Sequence, residues 1–167
     1  MTRPELSAED ILVVLNRHRV DYVVIGAFAA IAQGAPLEAT HDVDVTPRRD
    51  IANLRRLSAA LTELEAGIRV DDLDEGLAFA HDPTSLAGMA MLNLTCAPGD
   101  FDIVFAPAGS PSGYEELIGN SVLIRVGEVE VSAASVEDVL RSKEEVGREK
   151  DVRAVLVLRA FLRDRPE

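Results

Sequence analysis

The chain has 167 residues, is 47% hydrophobic, lacks Trp, and carries 29 acidic against 17 basic side chains for a formal net charge of −12. That length fits one domain, which can bury an aliphatic core without a disulfide or metal staple. The single cysteine, Cys96, excludes an intrachain disulfide and a thiolate zinc site. In the apolar run MLNLTCA it reads as a small buried core residue. The acid excess runs against non-specific nucleic-acid binding, which leaves a basic footprint, and favours a small-molecule, cationic or protein partner. No apolar run reaches the roughly 20 residues that span a bilayer. Acidic residues in MTRPELSAEDILVVL leave no room for a secretory leader. The expected compartment is therefore the cytoplasm, with no membrane partner.

In chain order, SAEDILVVLNRH (7–18) predicts a helix capped by Ser7, with Ile11, Leu12 and Leu15 on one face. DYVVI (21–25) predicts a short buried strand ended by Gly26, and AFAAIAQ a short helix closing at Gly34. DVDVT (42–46) alternates polar and apolar, which is strand periodicity, and Pro47 stops it. Residues 49–64 place Ile51, Leu54, Leu57, Leu61 and Leu64 at helical spacing. DDLDEG (71–76) predicts an acidic loop, and DPTSLAGM (82–89) a capped short helix. MLNLTCA (91–97) and FDIVFA (101–106) read as strands joined by a Pro98-Gly99-Asp100 turn. After a Pro-, Gly- and Ser-rich loop, SVLIRV and VEVS form a second hairpin candidate around Gly127-Glu128. Residues 135–162 are helical in pattern, with Gly147 as a break. The expected fold class is α/β: a single domain with a mixed β-sheet flanked by helices, a core over 20–132, and C-terminal helices over 135–163.

Three Asp-x-Asp triplets occur, and context separates them. Residues i and i+2 of a strand share a face, so Asp42 and Asp44 present two carboxylates side by side while Val43 and Val45 point into the core. Such a pair can hold hard divalent cations, although an exposed edge-strand face would show the same pattern. Asp72/Asp74 lie in a polar stretch and read as a solvated turn. Asp102 lies one residue into the apolar run FDIVF, where an unpaired carboxylate is costly unless it is partnered or metal-bound; Asp100 reads as a turn residue. His41 points to the opposite strand face from Asp42 and reads as ordinary packing. His18 and His81 read as surface residues, and Tyr22 and Phe28 as core.

The stretch VVIGAFAAIAQGAPLEATHDVDV resembles the opening motif of the DNA polymerase beta-like nucleotidyltransferases. It has an apolar strand, Gly26, a short helix, and Asp42/Asp44 on the next strand, with Thr40 two residues ahead. Asp102 stands where a later strand of that family carries a third carboxylate. The tail SVEDVLRSKEEVGREKDVRAVLVL resembles the closing helices of bacterial members related to abortive-infection and toxin–antitoxin nucleotidyltransferases, through Asp138, Lys143, Gly147, Arg148, Lys150 and Asp151. Two departures bear on catalysis. Position 27 is Ala, where the family commonly has Gly or Ser on the triphosphate. Position 38 is Glu, where many bacterial members have Arg, and a carboxylate in a phosphate path repels the nucleotide.

The resemblance implies transfer of a nucleoside monophosphate from a nucleoside triphosphate (NTP) to an acceptor, with Mg2+ or Mn2+ held by Asp42, Asp44 and Asp102 as the catalytic carboxylates. Two cations about 4 Å apart can stabilise both the attacking and the leaving oxygens of an in-line displacement. Nucleotide-binding candidates are the backbone at Gly26 and Ala27, with Lys143 and Arg148 as cations; KEEVGREK also reads as a solvated helix face. If the chain is active, Glu38 must turn away from the triphosphate and Arg48, Arg49 or Lys143 must take its place. A degraded member would instead bind a nucleotide or a protein partner without catalysis, for example in a toxin–antitoxin pair. A plain metal-binding or structural α/β domain is a third reading. The acceptor (small molecule, protein or RNA end) is open at this stage.

Overall fold

Alternation of Val43 and Val45 with Asp42 and Asp44 sets the centre of the molecule. In the computed structural model, which describes residues 5–166, Val43, Val45, Phe101 and Ile103 are fully buried. They lie in one aliphatic core that also holds Ile11, Leu12, Leu54, Leu57 and Leu61. The carboxylates at alternate positions are thereby turned to the other face of the sheet.

The elements run α1 (Ala8–Arg17), β1 (Tyr22–Ile25), α2 (Gly26–Ala32), β2 (Asp42–Pro47), α3 (Ile51–Leu64), β3 (Gly67–Val70) and β4 (Leu73–Leu77). There follow α4 (Pro83–Ala87), β5 (Met91–Cys96), β6 (Gly99–Val104), α5 (Tyr114–Leu117), β7 (Val122–Val126), β8 (Val129–Ala133), α6 (Val136–Val146) and α7 (Glu149–Arg163). The strands form one eight-stranded sheet in the order β4-β3-β5-β6-β2-β1-β8-β7. It is mixed: β2–β6 and β1–β8 pair parallel, and the remaining neighbours pair antiparallel. This is the α/β mixed sheet flanked by helices that the sequence pattern predicts.

Local chemistry accounts for the boundaries. The Asp50 and Asp82 carboxylates cap α3 and α4 by accepting from Asn53 N–H and Ser85 N–H. Ser7 stands at the predicted cap of α1, but its hydroxyl donates to the Asp10 carboxylate instead of accepting from the helix. Gly147 takes a left-handed conformation, φ 64°, and breaks α6 from α7 as expected.

Two expectations are corrected. Residues 71–76 are not a loop, because β4 spans Leu73–Leu77 and pairs with β3 at the sheet edge. Its side chains are exposed except at Gly76, so no apolar alternation announces it. Asp100 is not a turn residue either. It is a buried member of β6, in register with Asp42, and the turn falls on Ala97-Pro98.

One buried polar side chain ties the site's scaffold together. Asn53, fully buried on α3, accepts from Asp21 N–H (2.7 Å) and donates to the carbonyls of Asp21 (2.9 Å) and Arg48 (2.7 Å). It thus fastens the start of β1 to the end of β2. Asn53→Ala leaves these backbone groups short of partners inside the protein. It should cost roughly 2–3 kcal/mol of stability in urea unfolding, while Arg55→Ala, at an exposed position of the same helix, costs far less.

Candidate active site

The site is built on three neighbouring strands, β6, β2 and β1. In the parallel β2–β6 ladder Asp44 lies opposite Asp102, and Asp42 opposite Asp100. On the other side of β2, Ile25 lies opposite Asp44, so the β1–α2 junction meets the carboxylates directly. Gly26 has φ 71°, and a Cβ there would stand 2.8 Å from Asp44 Oδ2. Position 26 therefore requires glycine on both backbone and steric grounds.

Asp42, Asp44 and Asp102 converge: each offers a carboxylate oxygen, and these oxygens all lie within 4.8 Å of one another. Crowding of like charges in a half-buried setting disfavours ionisation. Burial, then the charges of Asp42 and Asp102, push the Asp44 carboxyl up to about 8, with Lys143 pulling in the opposite direction. Asp102 is also raised, first by burial, against the lowering influence of the Arg69 guanidinium. Asp44 Oδ1 is buried and has no hydrogen-bond partner among the described residues. Three hard oxygen donors and one orphaned carboxylate oxygen fit a hard divalent cation.

These residues line a cavity of about 730 Å3, a volume in the range of small-molecule sites. Gly26, Ala27 and Phe28 form one wall, and Lys143, Arg148 and Asp151 another. Asp151 is buried and organises the cations. Its carboxylate lies 3.5 Å from Lys143 Nζ and accepts from Arg148 Nε at 2.8 Å. Burial opposes ionisation of Asp151, but the two cations outweigh it and hold its carboxyl below the ordinary range. Lys143 is only 17% exposed in its side chain and Arg148 56%. KEEVGREK is thus a solvated face at most positions, with Lys143 turned inward.

The carboxylates Asp42, Asp44 and Asp102 and the nucleotide-binding candidates Gly26, Ala27, Lys143 and Arg148 all line this cavity. Glu38 is exposed and absent from its wall. Arg48 is engaged with Asp21 and Asp50, and Arg49 donates to Met89 O and stacks on Phe105. Lys143 is thus the one of the three proposed substitutes that faces the cavity. His41 is exposed rather than packed, because β2 begins only after it. Phe28 is half-buried on the cavity wall as well as touching the core. His18 meets Glu63, and His81 meets Ser58, away from the site. Cys96 is buried, and its thiol is pushed up to about 11 by that burial.

The sequence reading missed Arg69 on β3. Its Nη2 donates to Asp102 Oδ1 at 2.7 Å, and its Nε lies 3.3 Å from Asp100 Oδ2. The signal was present but short: GIRV alternates over only four residues, and the Asp100/Asp102 triplet repeats the Asp42/Asp44 spacing.

No protein-family model matches the chain, and no curated protein matches it. Solved structures do. A candidate nucleotidyltransferase from Thermotoga maritima superposes with a TM-score of 0.51 at 16% identity, over 96% of this chain and 98% of that one. Lincomycin-bound lincosamide antibiotic adenylyltransferase LnuA gives 0.61 at 13%, over 94% and 99%. ANT(2'')-Ia in complex with adenylyl-2''-tobramycin gives 0.54 at 14%, over 92% and 86%. The chain has the nucleotidyltransferase fold; at these identities the likeness extends to fold alone.

The raised Asp44 carboxyl sets a pH dependence. Its folded value lies above its unfolded one, so the native state holds the extra proton. Its contribution to the stability of the metal-free protein is full below roughly 4 and is lost as pH rises towards about 8. In chelator, the Tm of wild type should drop across that window. Asp44→Asn should flatten the profile and be the more stable protein at pH 9. Mg2+ or Mn2+ at pH 8 should raise the wild-type Tm but not that of the Asp42→Asn/Asp44→Asn double variant. An equal shift in the variant would place the ion elsewhere.

Proposed function

We propose that the chain is a metal-dependent nucleotidyltransferase that moves a nucleoside monophosphate from an NTP to a hydroxyl of a small-molecule acceptor. The observation that carries this reading is the convergence of Asp42, Asp44 and Asp102 in one cavity with Gly26 and Lys143. The small acceptor is supported by the cavity volume, by the net charge of −12, which disfavours polyanions, and by fold neighbours named as a lincosamide antibiotic adenylyltransferase and as ANT(2'')-Ia in complex with adenylyl-2''-tobramycin.

Asp42, Asp44 and Asp102 would hold Mg2+ or Mn2+, which when bound offsets triphosphate charge and polarises the reacting oxygens. Lys143 neutralises the triphosphate from the opposite wall, with Arg148 beside it. The backbone of Gly26 and Ala27 lies along the phosphates, where the absence of a bulky side chain lets them approach. The acceptor oxygen attacks the α-phosphorus, the bond to pyrophosphate breaks, and the acceptor proton passes to Asp102 as general base. We read residues 20–132 as the catalytic core and 135–163 as the helices that close the cavity. An unpaired cysteine and dependence on NTP suit the cytoplasm. Among the described residues no helix is long and apolar enough to cross a membrane.

Ala27 favours a second reading, a nucleotide- or protein-binding relative without catalysis, such as one component of a toxin–antitoxin pair. Against it, Glu38 keeps off the cavity wall and Lys143 occupies it. Calorimetric titration with ATP, GTP, CTP and UTP in Mg2+ separates the two. Wild type should bind at least one NTP. Lys143→Met should weaken that binding by about tenfold or more, the scale of one hydrogen bond to a charged group, while Glu38→Arg changes it little. Binding that appears only in Glu38→Arg would favour the degraded relative. Pyrophosphate release with pools of hydroxylated small molecules then identifies the acceptor.

A further inference from the structure

The Arg69 side chain crosses beneath β5 to reach β6. Its Nη2 donates to Leu94 O at 3.0 Å, to Phe101 O at 3.4 Å and to Asp102 Oδ1 at 2.7 Å. Two of these partners are main chain, so the guanidinium is tied to the sheet and cannot swing with the carboxylate it holds. The ion pair is secluded: the side chains of Arg69 and Asp102 are 18% and 16% exposed. Arg69 is absent from the cavity wall that the other site residues line, so it faces the carboxylates and not a phosphate.

The Asp42 carboxylate is held in the same manner. The Thr40 hydroxyl lies 3.0 Å from Asp42 Oδ1 and 3.2 Å from the Asp42 carbonyl. Asp44 is different: a Cβ at Gly26 would stand 2.8 Å from its Oδ2, and its buried Oδ1 has no hydrogen-bond partner among the described residues, so its carboxylate is not tethered in this way. Two of the three carboxylates, Asp42 and Asp102, thus have one oxygen engaged by a neighbouring side chain.

This arrangement discriminates between cations. Ca2+ takes six to eight oxygens at longer range and gains from carboxylates that bind through both oxygens, whereas Mg2+ requires a near-octahedral shell and takes one oxygen from each carboxylate. We propose that Arg69 is the positioning residue that sets the cation selectivity of the site, by occupying one oxygen of Asp102 and so confining it to single-oxygen ligation, with Thr40 doing the same at Asp42. The proposal rests on reading the three carboxylates as a cation site.

The test is Mn2+ binding followed by electron paramagnetic resonance, with Mg2+ and Ca2+ as competitors. It is run on wild type, Arg69→Met, Arg69→Lys and Thr40→Val, with the Tm of each in chelator as a folding control. Wild type should prefer Mg2+ and Mn2+ to Ca2+. Arg69→Met should lose roughly tenfold of that preference, the usual scale for a residue that orients a metal ligand, and Arg69→Lys should retain part of it. Loss of a positive charge by itself strengthens binding of every divalent cation alike and leaves the ratio unmoved. An unchanged ratio in both Arg69→Met and Thr40→Val overturns the assignment. If Arg69→Met fails to fold, the ratio in Thr40→Val decides, since Thr40 lies outside the sheet. Absence of any divalent binding in wild type overturns the carboxylate site itself, an outcome distinct from an unchanged ratio.

Discussion

The parallel pairing of β2 with β6 brings Asp44 opposite Asp102, and much else in the molecule responds to that juxtaposition. Like charges a few ångströms apart, partly shielded from water, repel strongly. The opposite faces of the same strands answer with an aliphatic core in which Val43, Val45, Phe101 and Ile103 are fully buried. The register is therefore held by apolar burial on one face while the other face stores electrostatic strain. A slip of one residue would exchange the two sets, so the pairing is strongly specified.

Cations are placed around that strain in two ways. Arg69 is fixed by main-chain carbonyls and bears on Asp102 from within the sheet. Lys143 and Arg148 come from the far side of the cavity and are held by Asp151 at the break between α6 and α7. The first set is tied to secondary structure. The second depends on a helix junction made possible by the left-handed Gly147. Glu38 is exposed and stands off the cavity that this cationic wall lines.

The strands and helices that carry the site were legible because their patterns are strong. Asp-Val-Asp-Val alternates over the first four residues of β2, and the leucines of α3 recur at helical spacing. Asp42, Asp44 and Asp102 could be grouped, and Lys143 could be nominated, from motif order alone. What was not legible depended on long-range geometry. β4 is an edge strand with polar, exposed side chains, so its sequence resembles a loop. Asp100 looked like part of a Pro-Gly-Asp turn, because local turn chemistry cannot reveal that β6 begins at Gly99. Arg69 reaches the site across an intervening strand, a relation that no spacing in the chain encodes.

The β2–β6 pairing also fixes when the carboxylate cluster can come into being. Thr46 on β2 donates to the Val104 carbonyl on β6 across 58 positions of chain, and α3, the β3–β4 hairpin, α4 and β5 all lie between. Asp102 likewise follows Asp44 by 58 positions (102 − 44) in the chain, and closing that segment costs loop-closure entropy. A polypeptide emerging from the ribosome therefore exposes Asp42 and Asp44 well before Asp102 exists to join them. The cluster is in effect a checkpoint of completed topology: a chain that has failed to insert β6 between β5 and β2 has two carboxylates on an unfinished edge and no site.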